Sequence, residues 1–494
     1  MSSSLRAGCL ATVALVTLLS DRGFAQPMSY SLADGNANWP ADIRTTIDNS
    51  MKEAVALHNQ YGWFEKHDTA NYSSGVPTAQ SNYDGWIDFG HLYNTRTALH
   101  EIAHTLGTGT YWGFDGGAWN EDSAAGRLEK LYDGQAAVLS TGGTHFWPYG
   151  LNYDNEDGPA NRERHCKLVA ALRFDMGIVK DSDGDGMPDD WETFHFQGLT
   201  QGAKGDPDAD GITNIDEYGS DSDPKVACPV RDGHTYVVRS QISDRAMTLT
   251  QSNVQDGTKI SLRKDGAPGQ EWTAHYVGAG FWRFSSGNSE QVLSLPSKDT
   301  ASAIPLQLTK WNQAFAQQWR VVSGPGAKDN YFQLANRETG RVADCLDGAE
   351  NAAVEQYPFL GNLQQQFWTF EDVTSADVPA DPGSMTDAGV STKPTGDAST
   401  STSAPTSTSD ASVRGDASVR SDAGRAADAG LPTETDDDET DDGASAPATH
   451  DKSDGGCALV SDDVSGLSTL LLAFASLLRK RRRSTKRRPD VRLV

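Results

Sequence analysis

Apolar positions in the first part of the chain follow a helical period twice and a strand period once. ADIRTTIDNSMKEAVALHNQY, residues 41–61, spaces them as an amphipathic helix does. SNYDGWIDFGH, residues 81–91, alternates apolar and polar and predicts a half-buried strand that closes on a glycine. TRTALHEIAHTLG then puts Ala98, Leu99, Ile102, Ala103 and Leu106 at helical spacing, and Gly107 supplies the stop. A further helical pattern, NRERHCKLVAALRFDMG, covers residues 161–177. From residue 227 the pattern changes to short alternating strands, and Gln-x-Trp occurs at Gln270-Trp272, Gln317-Trp319 and Gln366-Trp368. The tryptophans are 47 and 49 residues apart, a period that predicts an internal repeat. Residues 374–455 are Ser, Thr, Ala, Asp, Gly and Pro with hardly an aromatic, too polar to offset the entropy of ordering, and are expected to be disordered. Val464 to Leu478 is an apolar run of fifteen residues, short for a membrane span, and a basic cluster belonging on the cytoplasmic side follows it.

A chain of 494 residues is too long for one ordinary domain. Its formal charge is −26, and because Arg479 to Val494 carry nine Lys/Arg and one acid, the rest sums to −34. Such a body repels nucleic acid and suits a calcium-binding secreted protein. The N-terminus agrees: Arg6, an apolar core from Ala7 to Leu19, and Gly-Phe-Ala before Gln26 predict a signal peptide over residues 1–25. Beyond Cys9, the four cysteines Cys166, Cys228, Cys345 and Cys457 are scattered without a CxxC pair, which argues against a cysteine zinc site or a disulfide framework. One Cys166–Cys228 bridge is open.

His100-Glu101-x-x-His104 puts two imidazoles on one helical face, where both can reach one Zn²⁺, with a carboxylate beside them to take a proton from water. HEIAHTLG resembles the zincin metallopeptidases, nearest the metzincin form. The resemblance implies an α+β catalytic domain over residues 26–179, with His100 and His104 as ligands and Glu101 as general base. Thr110 stands where metzincins have their third histidine. A third ligand must come from elsewhere: His145 in a Gly- and aromatic-rich loop is favoured. Glu121, in an Asn-Glu segment like that of gluzincins, is the alternative, and His165 is a weaker candidate read as a surface or capping residue. His91 is a possible supporting residue, but reads better as a surface histidine at a strand end. Tyr149 and Tyr153 could place a hydroxyl near the metal, but plain aromatic packing is the stronger reading. Met176, placed somewhat like the metzincin Met-turn, reads as a core residue.

Residues 180–226 carry two twelve-residue loops with the calcium pattern: Asp181, Asp183, Asp185, Met187, Asp189 and Glu192, then Asp206, Asp208, Asp210, Ile212, Asn214 and Glu217. They resemble EF-hand-like and thrombospondin type-3 calcium linkers, which implies structural Ca²⁺. The three Gln-x-Trp repeats of residues 227–373 resemble the ricin-type β-trefoil. By that resemblance each Trp fills the core and each Gln braces a turn. Asp344, Tyr357 and Asn362 would form the one intact sugar site, since Thr248 and Ser294 stand at the Asp position of the other repeats. Residues 456–494 resemble myxobacterial C-terminal sorting tags, cut near Cys457 to leave the protein at the outer cell surface; a plain membrane anchor is the other reading.

The expectation is a multidomain chain: an exported zinc metallohydrolase, an endopeptidase acting on protein or glycoprotein, targeted by its lectin-like trefoil. A surface adhesin with an inactive zincin-like domain and a zinc hydrolase of a non-peptide glycan bond are the alternatives.

Overall fold

The computed structural model describes residues 27–114, 119, 122–252, 254–324 and 330–374. The signal peptide, Glu121, the Ser/Thr-rich stretch, Cys457 and the C-terminal apolar run all lie outside them. Among the described residues no helix is long and apolar enough to cross a membrane.

The N-terminal domain layers helices on a small sheet. In chain order it contains β1 (Ser29–Leu32), α1 (Ala41–Tyr61), β2 (His67–Tyr72), β3 (Ala79–Ser81), β4 (Trp86–Phe89), α2 (Thr95–Thr105), α3 (Ala124–Asp133), β5 (Ser140–Gly142), β6 (His145–Trp147) and α4 (Pro159–Asp175). The sheet runs β1-β2-β4-β3; β1, β2 and β4 are parallel and β3 is the antiparallel edge. Helix α1 lies where its apolar period predicts and buries Ile47, Met51, Ala54 and Val55. The strand expected over 81–91 is instead a hairpin. Asn82 accepts the Trp86 N–H at 3.1 Å, and Gly85 takes φ 99°, so Asn-Tyr-Asp-Gly is a turn between β3 and β4. The alternation counted across it belongs to two strands.

Two short helices follow, α5 (Asp189–Phe196) and α6 (Asn214–Ser220), each opening directly after an acidic loop. The chain then forms β7 (Thr235–Ser240), β8 (Ala246–Leu249), β9 (Ile260–Arg263), β10 (Glu271–Gly278), β11 (Phe281–Ser286), β12 (Gln291–Ser294), β13 (Ile304–Pro305), β14 (Gln307–Lys310), β15 (Trp319–Val322), β16 (Gln333–Asn336), β17 (Val342–Asp344), β18 (Glu355–Tyr357) and β19 (Trp368–Asp372). Strands β7, β10, β11, β15 and β16 pair in succession, β19 pairs with β7, and a Phe332–Trp368 bridge closes the ring. Hairpins β8-β9, β12-β14 and β17-β18 stand on it in matching register, Met247 opposite Leu262, Leu293 opposite Leu308 and Ala343 opposite Gln356. This is a β-trefoil-like arrangement. Cys166, Cys228 and Cys345 are all free thiols, so no Cys166–Cys228 bridge forms. Cys166 is enclosed in the α-helical core and Cys228 packs beside the trefoil core, so neither side chain is offered to the other.

Candidate functional site

Helix α2 starts at Asn94, whose side chain accepts the Thr97 N–H at 2.9 Å, and ends where Gly107 turns at φ 114°. Between these caps the whole segment Arg96–Thr105 is buried, which fixes both histidines on a rigid element. Thr110 does not stand in for a ligand: its hydroxyl donates back to the His104 carbonyl at the end of the helix.

The third histidine arrives on the β5-β6 hairpin. Gly109 permits this. A Cβ there would lie 2.1 Å from the Thr144 carbonyl oxygen, so any larger residue would push the hairpin, and His145 with it, away from the helix. His100, His104 and His145 thus come together with one ligating nitrogen each, all within 4.8 Å. The His145 ring stacks on His100 at 5.2 Å and meets His104 edge-on at 5.8 Å.

The chemistry of these nitrogens tests whether they suit a metal. His100 Nδ1 lies 2.8 Å from the Gly150 carbonyl and His104 Nδ1 lies 2.6 Å from the Thr108 carbonyl. A carbonyl only accepts, so both Nδ1 atoms carry the proton and both Nε2 atoms present bare lone pairs. Those two Nε2 atoms are 3.2 Å apart. Two lone pairs facing each other at that distance repel unless a cation lies between. Tetrahedral Zn²⁺ with bonds of about 2.0–2.1 Å would hold its nitrogens roughly 3.3 Å apart, so the arrangement fits zinc. Burial pushes His104 down to about 4 and lowers His100 and His145, which keeps the rings neutral as ligation requires.

Glu101 is fully buried on the same helix. Its Oε2 accepts the Ser81 hydroxyl of the edge strand at 2.7 Å, and its Oε1 has no hydrogen-bond partner. Burial pushes its carboxyl up to about 8, against the Ser81 bond and the Arg96 charge. The other candidates fall elsewhere. Glu121 is outside the described residues. His165 is buried, not at the surface: Nδ1 meets the Tyr149 carbonyl at 2.7 Å and Nε2 the Leu99 carbonyl at 3.1 Å, which ties the loop to the helix. The Tyr149 hydroxyl is committed to Asp133 and Arg164 and takes no place in the histidine cluster, while Tyr153 and His91 are exposed. Met176 is buried, its side chain close against Gly107.

In the acidic segment, Asp181, Asp183 and Asp185 bring carboxylate oxygens within 4.8 Å, and so do Asp206, Asp208 and Asp210. Asp181 accepts the N–H groups of Gly184, Asp185 and Gly186, and Asp206 those of Asp210 and Gly211, the same wrap in both loops. Glu192 and Glu217 are buried at the twelfth positions; both oxygens of Glu192 and one of Glu217 lack partners. Burial and the neighbouring aspartates push Glu192 up to about 7 and Glu217 to about 9. Such orphaned carboxylates beside acidic trios suit a divalent cation. The ninth positions differ from the pattern. Asp189 accepts the Ser182 N–H and hydroxyl of its own loop, whereas Asn214 donates its amide to the Gly202 carbonyl ahead of the loop and leaves its Oδ1 without a partner. The side chains of Met187 and Ile212 are buried, so only their backbone carbonyls are left for a cation.

In the trefoil, Trp272, Trp319 and Trp368 are buried, and their indole N–H groups donate to Met247, Leu293 and Ala343 carbonyls at 3.0, 3.0 and 3.1 Å. Gln270, Gln317 and Gln366 donate to the Lys264, Lys310 and Pro358 carbonyls and so brace the preceding turns. Thr248, Ser294 and Asp344 directly follow the three accepting residues, so they are equivalent positions. Asp344 is buried and accepts the Leu346 N–H; Tyr357 is half-buried and Asn362 exposed.

Residues 315–379 match the family model described as a ricin-type beta-trefoil lectin domain-like. That segment is a ricin-type β-trefoil lectin-like module. No curated protein matches the chain. Among solved structures, the chain is similar to a designed 3-fold symmetric protein, ThreeFoil, with 22% identity and a TM-score of 0.27, over 28% of this chain and 99% of that one. It is similar to a Macrolepiota procera ricin B-like lectin in complex with lactose, with 19% identity and a TM-score of 0.25, over 29% and 97%. It is also similar to a Polyporus squamosus lectin, with 16% identity and a TM-score of 0.26, over 29% of this chain and half, 50%, of that one.

Proposed function

We propose that this chain is an exported zinc metallohydrolase, an endopeptidase, that reaches glycoprotein or glycan-rich surfaces through its trefoil. The observation that carries the reading is the meeting of His100, His104 and His145, with the bare Nε2 atoms of His100 and His104 held face to face. Zinc bound there supplies Lewis acidity toward a scissile carbonyl. Glu101, whose carboxyl the charge of a bound cation would return to the ionised form, would then serve as general base, taking a proton from the attacking water and returning it to the leaving amine, with Ser81 fixing one carboxylate oxygen. The Gly150 and Thr108 carbonyls hold two imidazoles in the ligating tautomer.

The trefoil supports sugar binding at the third repeat, where Asp344 is the acceptor, Tyr357 the stacking ring and Asn362 an exposed polar partner. Calcium in the two acidic loops is a structural proposal: it would neutralise Glu192 and Glu217 and stiffen the segment between the large domains. Export and surface display rest on the two termini, both outside the described residues.

The test is zinc-loaded protein incubated with a mixed peptide library and a glycoprotein, read by mass spectrometry. Glu101→Ala is expected to keep zinc and lose cleavage, by about 10²-fold or more, while His145→Ala loses both. A zinc-loaded protein that cuts no peptide bond would sink the peptidase reading and shift the weight to a glycan hydrolase or an adhesin.

A further inference from the structure

The loop that orients His100 has an unusual backbone. Gly150, whose carbonyl receives the His100 Nδ1–H, lies between Tyr149 at φ 68° and Leu151 at φ 55°. Left-handed φ values at two non-glycine residues cost energy and persist only where surrounding contacts over-determine them. Part of that restraint is local. Arg96 donates to the Leu151 carbonyl at 2.7 Å, and His165 holds the Tyr149 carbonyl. A further restraint is the Tyr149 hydroxyl, which donates to Asp133 Oδ2 at 2.7 Å and accepts from Arg164 at 2.6 Å.

Asp133 is the last residue of α3, and its other oxygen is paired at 3.3 Å with Arg341, a trefoil residue 208 positions along the chain. This contact belongs to a close seam. A Cβ on Gly134 would come 2.6 Å from the Glu338 carbonyl oxygen, and one on Gly340 would come 2.4 Å from that of Tyr132. Gln135 N–H donates to Glu338 at 2.9 Å, and buried Arg320 donates to the Leu131 carbonyl at 3.2 Å. The two domains therefore meet backbone to backbone, and Arg341 is held beside Asp133 by its Nε, which donates to the Thr300 carbonyl at 3.1 Å.

We propose that the trefoil is part of the metal-site scaffold: Arg341, acting through Asp133 and Tyr149, is a positioning residue that holds the Gly150 carbonyl on His100. The proposal rests on the zinc reading of the histidine cluster. By linkage, whatever loosens the seam weakens zinc, and zinc tightens the seam.

The test uses the full chain and two readouts: zinc affinity by chelator competition, and hydrogen exchange of the peptide covering residues 145–152 in zinc-free protein. Arg341→Gln and Tyr149→Phe are each expected to speed that exchange and weaken zinc about 10-fold, as loss of a supporting partner does, and the double variant should be little worse than either. Arg245→Gln, which breaks a trefoil ion pair with Glu350, should change neither. Unchanged exchange in Arg341→Gln overturns the proposal, and so does faster exchange with wild-type zinc affinity. If the wild-type chain binds no zinc but Arg341→Gln loosens the loop, the zinc reading fails while the structural connection stands.

Discussion

In the trefoil each buried tryptophan repeats one bond, an indole N–H to a carbonyl 25 or 26 residues earlier, three times over. Around His100, His104 and His145 every contact occurs once. The acidic loops fall between, with one pattern in two copies. Redundancy decides how each region should respond to damage. A repeated structural motif spreads its role, so one loss lowers stability without removing the fold; a single-copy site has no second version of any part.

The largest stability effect should come from cutting into the repeat itself. Trp319→Ala removes a fully buried indole and leaves a large cavity at the trefoil axis, at a cost of about 3–5 kcal/mol in chemical denaturation. Trp272→Ala and Trp368→Ala should cost the same within about 1 kcal/mol, because the environments match. If one of the three costs far more than the others, the threefold equivalence argued from the bonds is wrong.

The same redundancy explains what could be read from the sequence. Three Gln-x-Trp pairs predict a trefoil because the signal is written three times, and the two calcium patterns are legible in the same way. Helices α1 and α2 are legible because one apolar face recurs over several turns. The histidine cluster proposed to hold zinc is half legible. His100 and His104 follow from helical spacing, and His145 stood out only as a histidine in a stiff aromatic loop. Its supports carry no local signal. Gly109 matters because the Thr144 carbonyl presses on it, and Asp133 matters because Arg341 reaches it from 208 residues away. Over 81–91 the side-chain alternation runs straight through an Asp-Gly turn, so two strands of a hairpin share the pattern of one. His165 reads as a surface or capping residue from its charged helical neighbours, because the two carbonyls that satisfy it, those of Tyr149 and Leu99, are distant in sequence.

Calcium tests the intermediate case. Withdrawing calcium at buffered zinc should lower stability by about 2–3 kcal/mol from a state with calcium about 10-fold above the dissociation constant of each loop, roughly 1.4 kcal/mol per loop. Glu217→Gln removes the charged group from one loop only, so about half of the calcium-dependent shift should survive. Complete loss would mean that the two loops act as one site; no calcium shift in the wild type would remove calcium from the account.

The smallest effect isolates a single buried group of the domain that carries the histidine cluster. Asp68, on β2 beneath α2, is buried; its Oδ2 accepts the Thr105 hydroxyl at 3.1 Å while its Oδ1 has no partner. Burial pushes its carboxyl up to about 7, with the Thr105 bond and the Lys66 charge pulling the other way. Its ordinary unfolded value lies near 3.9. Between about pH 4 and 7 the unfolded chain therefore gives up this proton while the folded chain keeps it. The unfolded state binds fewer protons over that window, so stability falls as pH rises through it and levels off above about 7. Asp68→Asn keeps the shape and removes the titration. Relative to the wild type, the variant should gain on the order of 2 kcal/mol between pH 5 and pH 7 at fixed zinc and calcium. A wild-type-minus-variant difference that is equal at the two pH values would show that Asp68 ionises normally, and that the space beneath α2 is better solvated than its burial indicates.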